Sequence, residues 1–289
     1  MAGRDASSHE RTLLELSAPL AHRLARQRCA GCGWYHGIWQ YLRLLGFIDP
    51  TARHAAFFRR ALRGVGGERA PRVLVCGAAD YSMCVQVLDA CRRQSVEPAV
   101  QVIDLCSTPL ALNRWYAARV DAKIATRQVD VLAYRAARPF DAICTHALLG
   151  RFAPAKRPML MKKWHDLLRP GGVVATVTPV RPGSPRTLVR FSPAQATSFG
   201  TAVRNAAASR GGLPGVDPDT LRNAAMKYAQ KHGVHRVQSL EALRSLFEEA
   251  GFRIRHLSLV PPARGMRRGP SGPTVAGTAT YARIIATRI

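Results

Sequence analysis

Two features of this sequence can do chemistry together. The first is the run Arg72-Val73-Leu74-Val75-Cys76-Gly77-Ala78-Ala79-Asp80-Tyr81-Ser82, in which apolar residues of strand type lead into a turn of small residues and then a helix. The second is Ala99-Val100-Gln101-Val102-Ile103, another apolar run, which ends in Asp104, 27 residues after Gly77. A carboxylate at the tip of one strand, beside a small-residue turn at the tip of its neighbour, can accept hydrogen bonds from both hydroxyls of a ribose. The pairing predicts a nucleoside-bearing cofactor.

Around these runs the pattern alternates. Strands are expected over 72–76, 99–104, 122–126, 140–144 and 173–177, with helices over 81–95, 108–119 and 154–168 between them. Thr108-Pro109 reads as a helix cap followed by proline at the first helical position. The alternation stops after the fifth strand. Residues 181–237 read as two helices without a strand, the first opened by the capping box Ser192-Pro193-Ala194-Gln195 and the second by Asp217-Pro218. The sheet pattern resumes with a helix over 240–250 and strands over 254–260 and 278–287, separated by a Pro-, Gly- and Arg-rich loop, 261–274. Ahead of the sheet stand helices over 8–30 and 51–63 and an aromatic segment from Trp34 to Leu45. The expected fold is α/β, a doubly wound, mostly parallel seven-stranded sheet with an N-terminal helical extension and a helical insertion after strand five. The expected partition is a helical cap over 1–69, a cofactor-binding core over 70–180, a substrate-cap insertion over 181–237, and the rest of the core sheet over 238–289.

Composition narrows the classes. With 289 residues, 47 % of them hydrophobic, the chain suits one elaborated domain better than two equal ones. No apolar run approaches the roughly 18 residues of a membrane span, and the N-terminus has no signal-peptide core. Five of the seven cysteines (Cys76, Cys84, Cys91, Cys106, Cys144) fall inside expected elements, where thiols serve as small apolar fillers, so a reducing, cytoplasmic setting is expected. Cys29-x-x-Cys32 has metal-type spacing but no second pair, so no metal is expected. The net charge of +25 has two readings: an arginine-rich composition without function, or attraction of an anionic partner.

The order of motifs resembles a known family. The strand–turn–helix at 72–82, Asp104, Asp130, Leu167-Leu168-Arg169-Pro170-Gly171-Gly172 before the fifth strand, and Ala250-Gly251-Phe252 before the sixth together look like a class I S-adenosylmethionine (SAM)-dependent methyltransferase. The resemblance covers about 70–180 and 238–289. It implies SAM as co-substrate, with Gly77, Ala78 and Ala79 along the methionine part, Asp104 and Leu105 at the ribose, Asp130 and Val131 at the adenine, and backbone groups of Cys144 and Thr145 near the sulfonium. The chain departs from the family where Gly-x-Gly-x-Gly is reduced to Gly77-Ala78-Ala79-Asp80-Tyr81, and where Val75 stands in place of an acid. Asp80 is the candidate to supply that carboxylate to the methionine ammonium.

Three further residues are candidates on the acceptor side. His146 follows the fourth strand, where a doubly wound sheet places ligands; it is either a proton acceptor or a histidine bonded to its own loop. Trp34, Ile38, Tyr41 and Leu45 fall at helical spacing, the pattern of a core face, while Trp39 and Tyr35 lie off it; the segment is either packing against the sheet or a lid that screens a sulfonium from water, with Tyr35 and His36 as the candidate contacts. The expected activity is methyl transfer to a small molecule in biosynthesis, with anionic acceptors favoured by the charge. The alternatives are attack on the aminobutyryl arm of SAM with release of methylthioadenosine, and methylation of RNA or DNA. Against the latter, strand four ends in Cys144-Thr145-His146-Ala147 rather than an Asn/Asp-Pro-Pro-aromatic motif. No membrane partner is expected.

Overall fold

The computed structural model describes residues 2–67, 69–181, 187–261 and 280–289, with side chains from Arg11 onward. In chain order the helices are α1 (Ala2–Arg28), α2 (Gly33–Leu44), α3 (Ala55–Ala61), α4 (Ser82–Arg92), α5 (Ser107–Arg119), α6 (Arg157–Leu167), α7 (Pro193–Ala208), α8 (Pro218–Lys231) and α9 (Leu240–Glu248). The strands are β1 (Arg72–Cys76), β2 (Ala99–Asp104), β3 (Ile124–Gln128), β4 (Phe140–His146), β5 (Leu168–Val180), β6 (Leu188–Arg190), β7 (Gly233–His235), β8 (Phe252–Val260) and β9 (Thr280–Arg288). The described residues divide into two units, 2–50 with 188–234, and 51–181 with 187, 235–261 and 280–289.

The second unit is a seven-stranded sheet in the order β3-β2-β1-β4-β5-β9-β8. β1 to β5 are parallel to one another, and β9 runs antiparallel between β5 and β8. This is the doubly wound, mostly parallel sheet that the alternating pattern predicts. β1 is central, and Val73, Leu74, Val75 and Cys76 are all buried, as a strand covered on both faces requires. One face packs α6 and α9 on the sheet through Trp164, Leu160, Phe247 and Phe252. Strand order reverses between β1 and β4, so the crevice beyond the carboxyl ends of these strands is the place for a ligand.

Local chemistry moves several boundaries. β5 begins at Leu168 and not at Val173: Leu168 pairs with Phe140, the register then shifts, and Pro170-Gly171-Gly172 bulges out with Gly171 at φ +71°. β3 starts at Ile124 because Ala122 N–H still donates to Ala117 O, closing α5. Helix α5 is capped by Cys106, two residues before the expected Thr108, because Asp104 Oδ1 accepts the Cys106 N–H and turns the chain early. Residues 51–54 form a 3-10 turn ahead of the short α3. The 181–237 segment does hold strand, since β6 and β7 pair as a small two-stranded sheet. The loop expected over 261–274 lies outside the described residues apart from Pro261.

The first unit is helical. The expected stripe on α2 is its core face: Ile38, Tyr41 and Leu45 are buried with Phe199, Val203 and Tyr228 from α7 and α8. Tyr41 donates its hydroxyl to Pro214 O at 2.7 Å, which satisfies the one polar atom that this ring carries inside. α7 and α8 start at the expected caps. Ser192 Oγ accepts from Gln195 N–H while Gln195 Oε1 accepts from Ser192 N–H, and Asp217 accepts from the N–H groups of Asp219 and Thr220. Gly200 lets the two helices touch, since a Cβ there would lie 2.9 Å from Arg222 O.

Candidate functional site

The carboxyl ends of β1, β2, β3 and β4 carry the residues that could hold a nucleoside sulfonium. Gly77 ends β1 with φ +67°, and its N–H donates to Ile103 O at 3.0 Å, which sews the tip of β1 to the tip of β2. A Cβ at Gly77 would lie 2.5 Å from Leu148 Cδ1, so backbone sign and space both select glycine. Ala78 is buried and Ala79 half-buried beside it. Asp80 is buried; its Oδ1 accepts from Ser82 N–H at 2.8 Å and from the Ser82 hydroxyl, and its carbonyl accepts from Asn113 Nδ2 at 3.3 Å. The Asp80 carboxylate therefore organises the start of α4.

Asp104, half-buried at the end of β2, is shaped by two bonds. Its Oδ1 accepts from Cys106 N–H at 2.7 Å, and its carbonyl accepts from Val129 N–H at 2.9 Å. The first fixes the carboxylate rotamer and the second ties β2 to the end of β3. Leu105 is 69 % exposed, an unusual place for a large apolar side chain next to a carboxylate. Asp130 is exposed and caps its own turn, Oδ1 accepting from Leu132 N–H at 2.9 Å, while Val131 turns into the core beside Tyr134.

At the end of β4, Cys144 pairs with Val75 on one side and Ala175 on the other. It is fully buried, and burial pushes its thiol well above the ordinary range, so it stays protonated and unreactive. Thr145 is also fully buried, with Thr176 alongside. His146 is half-buried. The chain turns sharply after it, with Ala147 at φ +57° donating its N–H to Val177 O at 2.7 Å. The imidazole of His146 lies 5.4 Å from that of His54 and 5.9 Å from the Tyr281 ring, centroid to centroid. Neither His54 nor Tyr281 carries a local sequence signal: the expected helix over 51–63 made His54 one helical residue among others.

The sheet thus gathers Gly77, Ala78, Ala79, Asp80, Asp104, Leu105, Asp130, Cys144, Thr145 and His146 at one end. Tyr35 and His36 belong to the helical unit. There the Tyr35 ring stacks on Trp39 (4.9 Å), Tyr228 (5.8 Å) and His232 (5.9 Å), and His36 packs edge-on against Tyr35. Among the described residues no helix is long and apolar enough to cross a membrane.

Comparison with known proteins bears on the family and the fold. The family model described as Methyltransferase domain matches residues 75–257. No curated protein matches the chain. Among solved structures, the Burkholderia thailandensis 1,6-didemethyltoxoflavin-N1-methyltransferase, crystallised with 1,6-didemethyltoxoflavin and S-adenosylhomocysteine, is 17 % identical; the match has a TM-score of 0.53 and covers 83 % of this chain and 79 % of that one. The magnesium protoporphyrin IX methyltransferase of Synechocystis PCC 6803, with bound SAM, is 10 % identical at a TM-score of 0.51, with 90 % and 92 % covered. The [4+2]-cyclase SpnF is 14 % identical at 0.51, with 87 % and 92 % covered. The family model spans more than half of the chain and the sheet order is that of the fold, so the chain belongs to the class I SAM-dependent methyltransferases.

Proposed function

We propose that the protein moves the methyl group of SAM onto a small molecule of specialised metabolism, in the reducing interior of the cell. The observation that carries the reading is the junction of Gly77 and Asp104, in which a left-handed glycine bonded to Ile103 stands beside a carboxylate held in place by the Cys106 N–H. A carboxylate so placed accepts both hydroxyls of a ribose, and the small residues 77–79 allow the backbone to approach the methionine portion. Leu105 lies beside the ribose, Asp130 and Val131 bound the adenine, and the backbone of Cys144 and Thr145 lies toward the sulfonium.

SAM supplies an electrophilic methyl group, so the protein has little covalent work to do. Its residues align the acceptor in line with the carbon–sulfur bond, exclude water, and take a proton where the nucleophile carries one. His146 is the group proposed to accept that proton. The helical parts, 1–69 and 181–237, are proposed to select the acceptor, with Tyr35 and His36 as contacts; aromatic faces suit a cationic sulfonium. The net charge of +25 favours acceptors that carry a negative charge. In the Burkholderia enzyme the substrate is a small heterocycle, which supports a small acceptor here. Incubation with SAM and a panel of small acceptors, read by mass spectrometry, tests the proposal. S-adenosylhomocysteine together with an acceptor heavier by one methylene supports it.

One observation favours a second reading. The position where the family has an acid is the buried Val75, and the carboxylate of Asp80 is engaged by Ser82. The methionine end is therefore built differently from the family pattern. Attack on the aminobutyryl arm predicts methylthioadenosine from SAM alone, and the same mass spectra distinguish it.

A further inference from the structure

His54 ends the 3-10 turn Thr51–His54, and its ring is fully buried. Three rings meet around it. His54 lies 5.4 Å from His146 and 5.5 Å from Tyr281, and His146 lies 5.9 Å from Tyr281. The sheet explains the meeting. His146 pairs with Val177 and Val177 with Arg283, so these residues form one row across β4, β5 and β9; Tyr281, two positions from Arg283 on the same strand, shares its face. Arg283 Nε donates to His54 Nδ1 at 3.1 Å, and Arg283 Nη2 donates to Arg53 O at 3.1 Å. A ring nitrogen that accepts a hydrogen bond carries no proton, so the neutral His54 ring is fixed as its Nε2–H tautomer.

We propose that His54 is a positioning residue for His146: its arginine-anchored ring sets the orientation of the His146 ring. The proposal rests on the methyl-transfer reading only in taking His146 to face the acceptor. The charged and titratable groups about the three rings are Arg53 and His54 from the turn, Tyr281 and Arg283 from β9, and Arg181, which couples to Tyr281. Arg151 follows in the turn after β4. At neutral pH these groups are cationic or neutral. Burial, then His146, Arg283 and Arg53, push the His54 imidazole down to about 2, so His54 is uncharged at neutral pH. A phenylalanine would fill the volume of His54 but could not take the Arg283 hydrogen bond, so the device depends on the imidazole and not on packing alone.

The test uses the full chain without any acceptor. Carbon-13 spectra of the histidine Cε1–H groups, with His146 assigned from His146→Gln, give its orientation through ring-current shift. Arg283→Met is expected to move the His146 resonance, because it frees the His54 ring from its anchor, while Arg283→Lys restores it. His54→Phe is expected to move the His146 resonance while calorimetry gives SAM affinity within about threefold of wild type, the ordinary scatter of a distant change. An unmoved His146 resonance in folded Arg283→Met or in folded His54→Phe overturns the proposal. Neither readout involves turnover, so failure of the methyl-transfer reading would show separately, in the product spectra.

Discussion

Removing the carboxylate of Asp104 is the most direct perturbation of the proposed site. Asp104→Ala deletes two things. The first is the bond that Oδ1 accepts from Cys106 N–H at 2.7 Å, a local cap whose loss costs about 1 kcal/mol and lowers Tm by about 3 °C in a chain of this size. The second is the proposed pair of charge-assisted hydrogen bonds to a ribose diol, at about 2 kcal/mol each, which together amount to about 4 kcal/mol or roughly a thousandfold in Kd. The two effects differ enough in size to be separated. Asp104→Asn separates them further, because the amide oxygen can still cap Cys106 while the charge is gone; an intermediate loss of about thirtyfold is expected. Calorimetry with SAM and with S-adenosylhomocysteine, beside a thermal melt, measures both. If the alanine variant melts within a few degrees of wild type and still binds SAM within twofold, the ribose is held elsewhere and the placement of the cofactor is wrong.

Gly77→Ala should cost about 1–2 kcal/mol in stability from the positive φ alone, since Leu148 can swing aside but the backbone cannot, and it should weaken SAM binding at the same time; a melt and a calorimetric titration show whether both fall. His146→Ala and Tyr35→Ala should reduce turnover with an accepted substrate by at least tenfold while SAM affinity changes less than threefold, and an equal loss of both would place these residues on the donor side. Asp141, almost fully buried at the start of β4, accepts from Arg72 N–H, Arg69 and Arg169 at 2.6–2.8 Å. Burial alone would raise its carboxyl, but the Arg72 N–H and the two guanidinium groups hold it below the usual range. A depressed carboxyl stabilises the fold above its unfolded pKa, about 4, and that stability is lost as pH falls through the folded value. Asp141→Asn should therefore cost about 2 kcal/mol at pH 7, after allowance for the partly exposed arginines, and the difference from wild type in urea melts should shrink below about pH 4.

How much of this was legible in the sequence depended on range. Val73 to Cys76 announced a buried central strand because four consecutive apolar residues can be covered on both faces only inside a parallel sheet. Asp104 could be placed at a strand tip because the polarity change is local. The cap of α7 was readable for the same reason: Ser192 and Gln195 are three residues apart. What could not be read was set by pairing at a distance. β6 and β7 are three residues each, and neither reads as a strand until the other is beside it. The extra length of β5 depends on Phe140 accepting Leu168 as a partner across a bulge. His54 carried no signal of its own, because its significance comes from Arg283, 229 positions away, and from a row of registered residues that only the assembled sheet defines.

The position of β9 has a consequence for how the chain comes into being. β8 joins the seven-stranded sheet through β9, and β9 follows every other described strand in the chain. Until residues 280–288 have left the ribosome, β5 presents an open row of amide and carbonyl groups and β8 has no place in the sheet. The strand that joins the two parts of the sheet thus arrives after both of its neighbours, and β5 presents an uncovered edge until it does. Assembly in this topology ends with β9 inserting between β5 and β8.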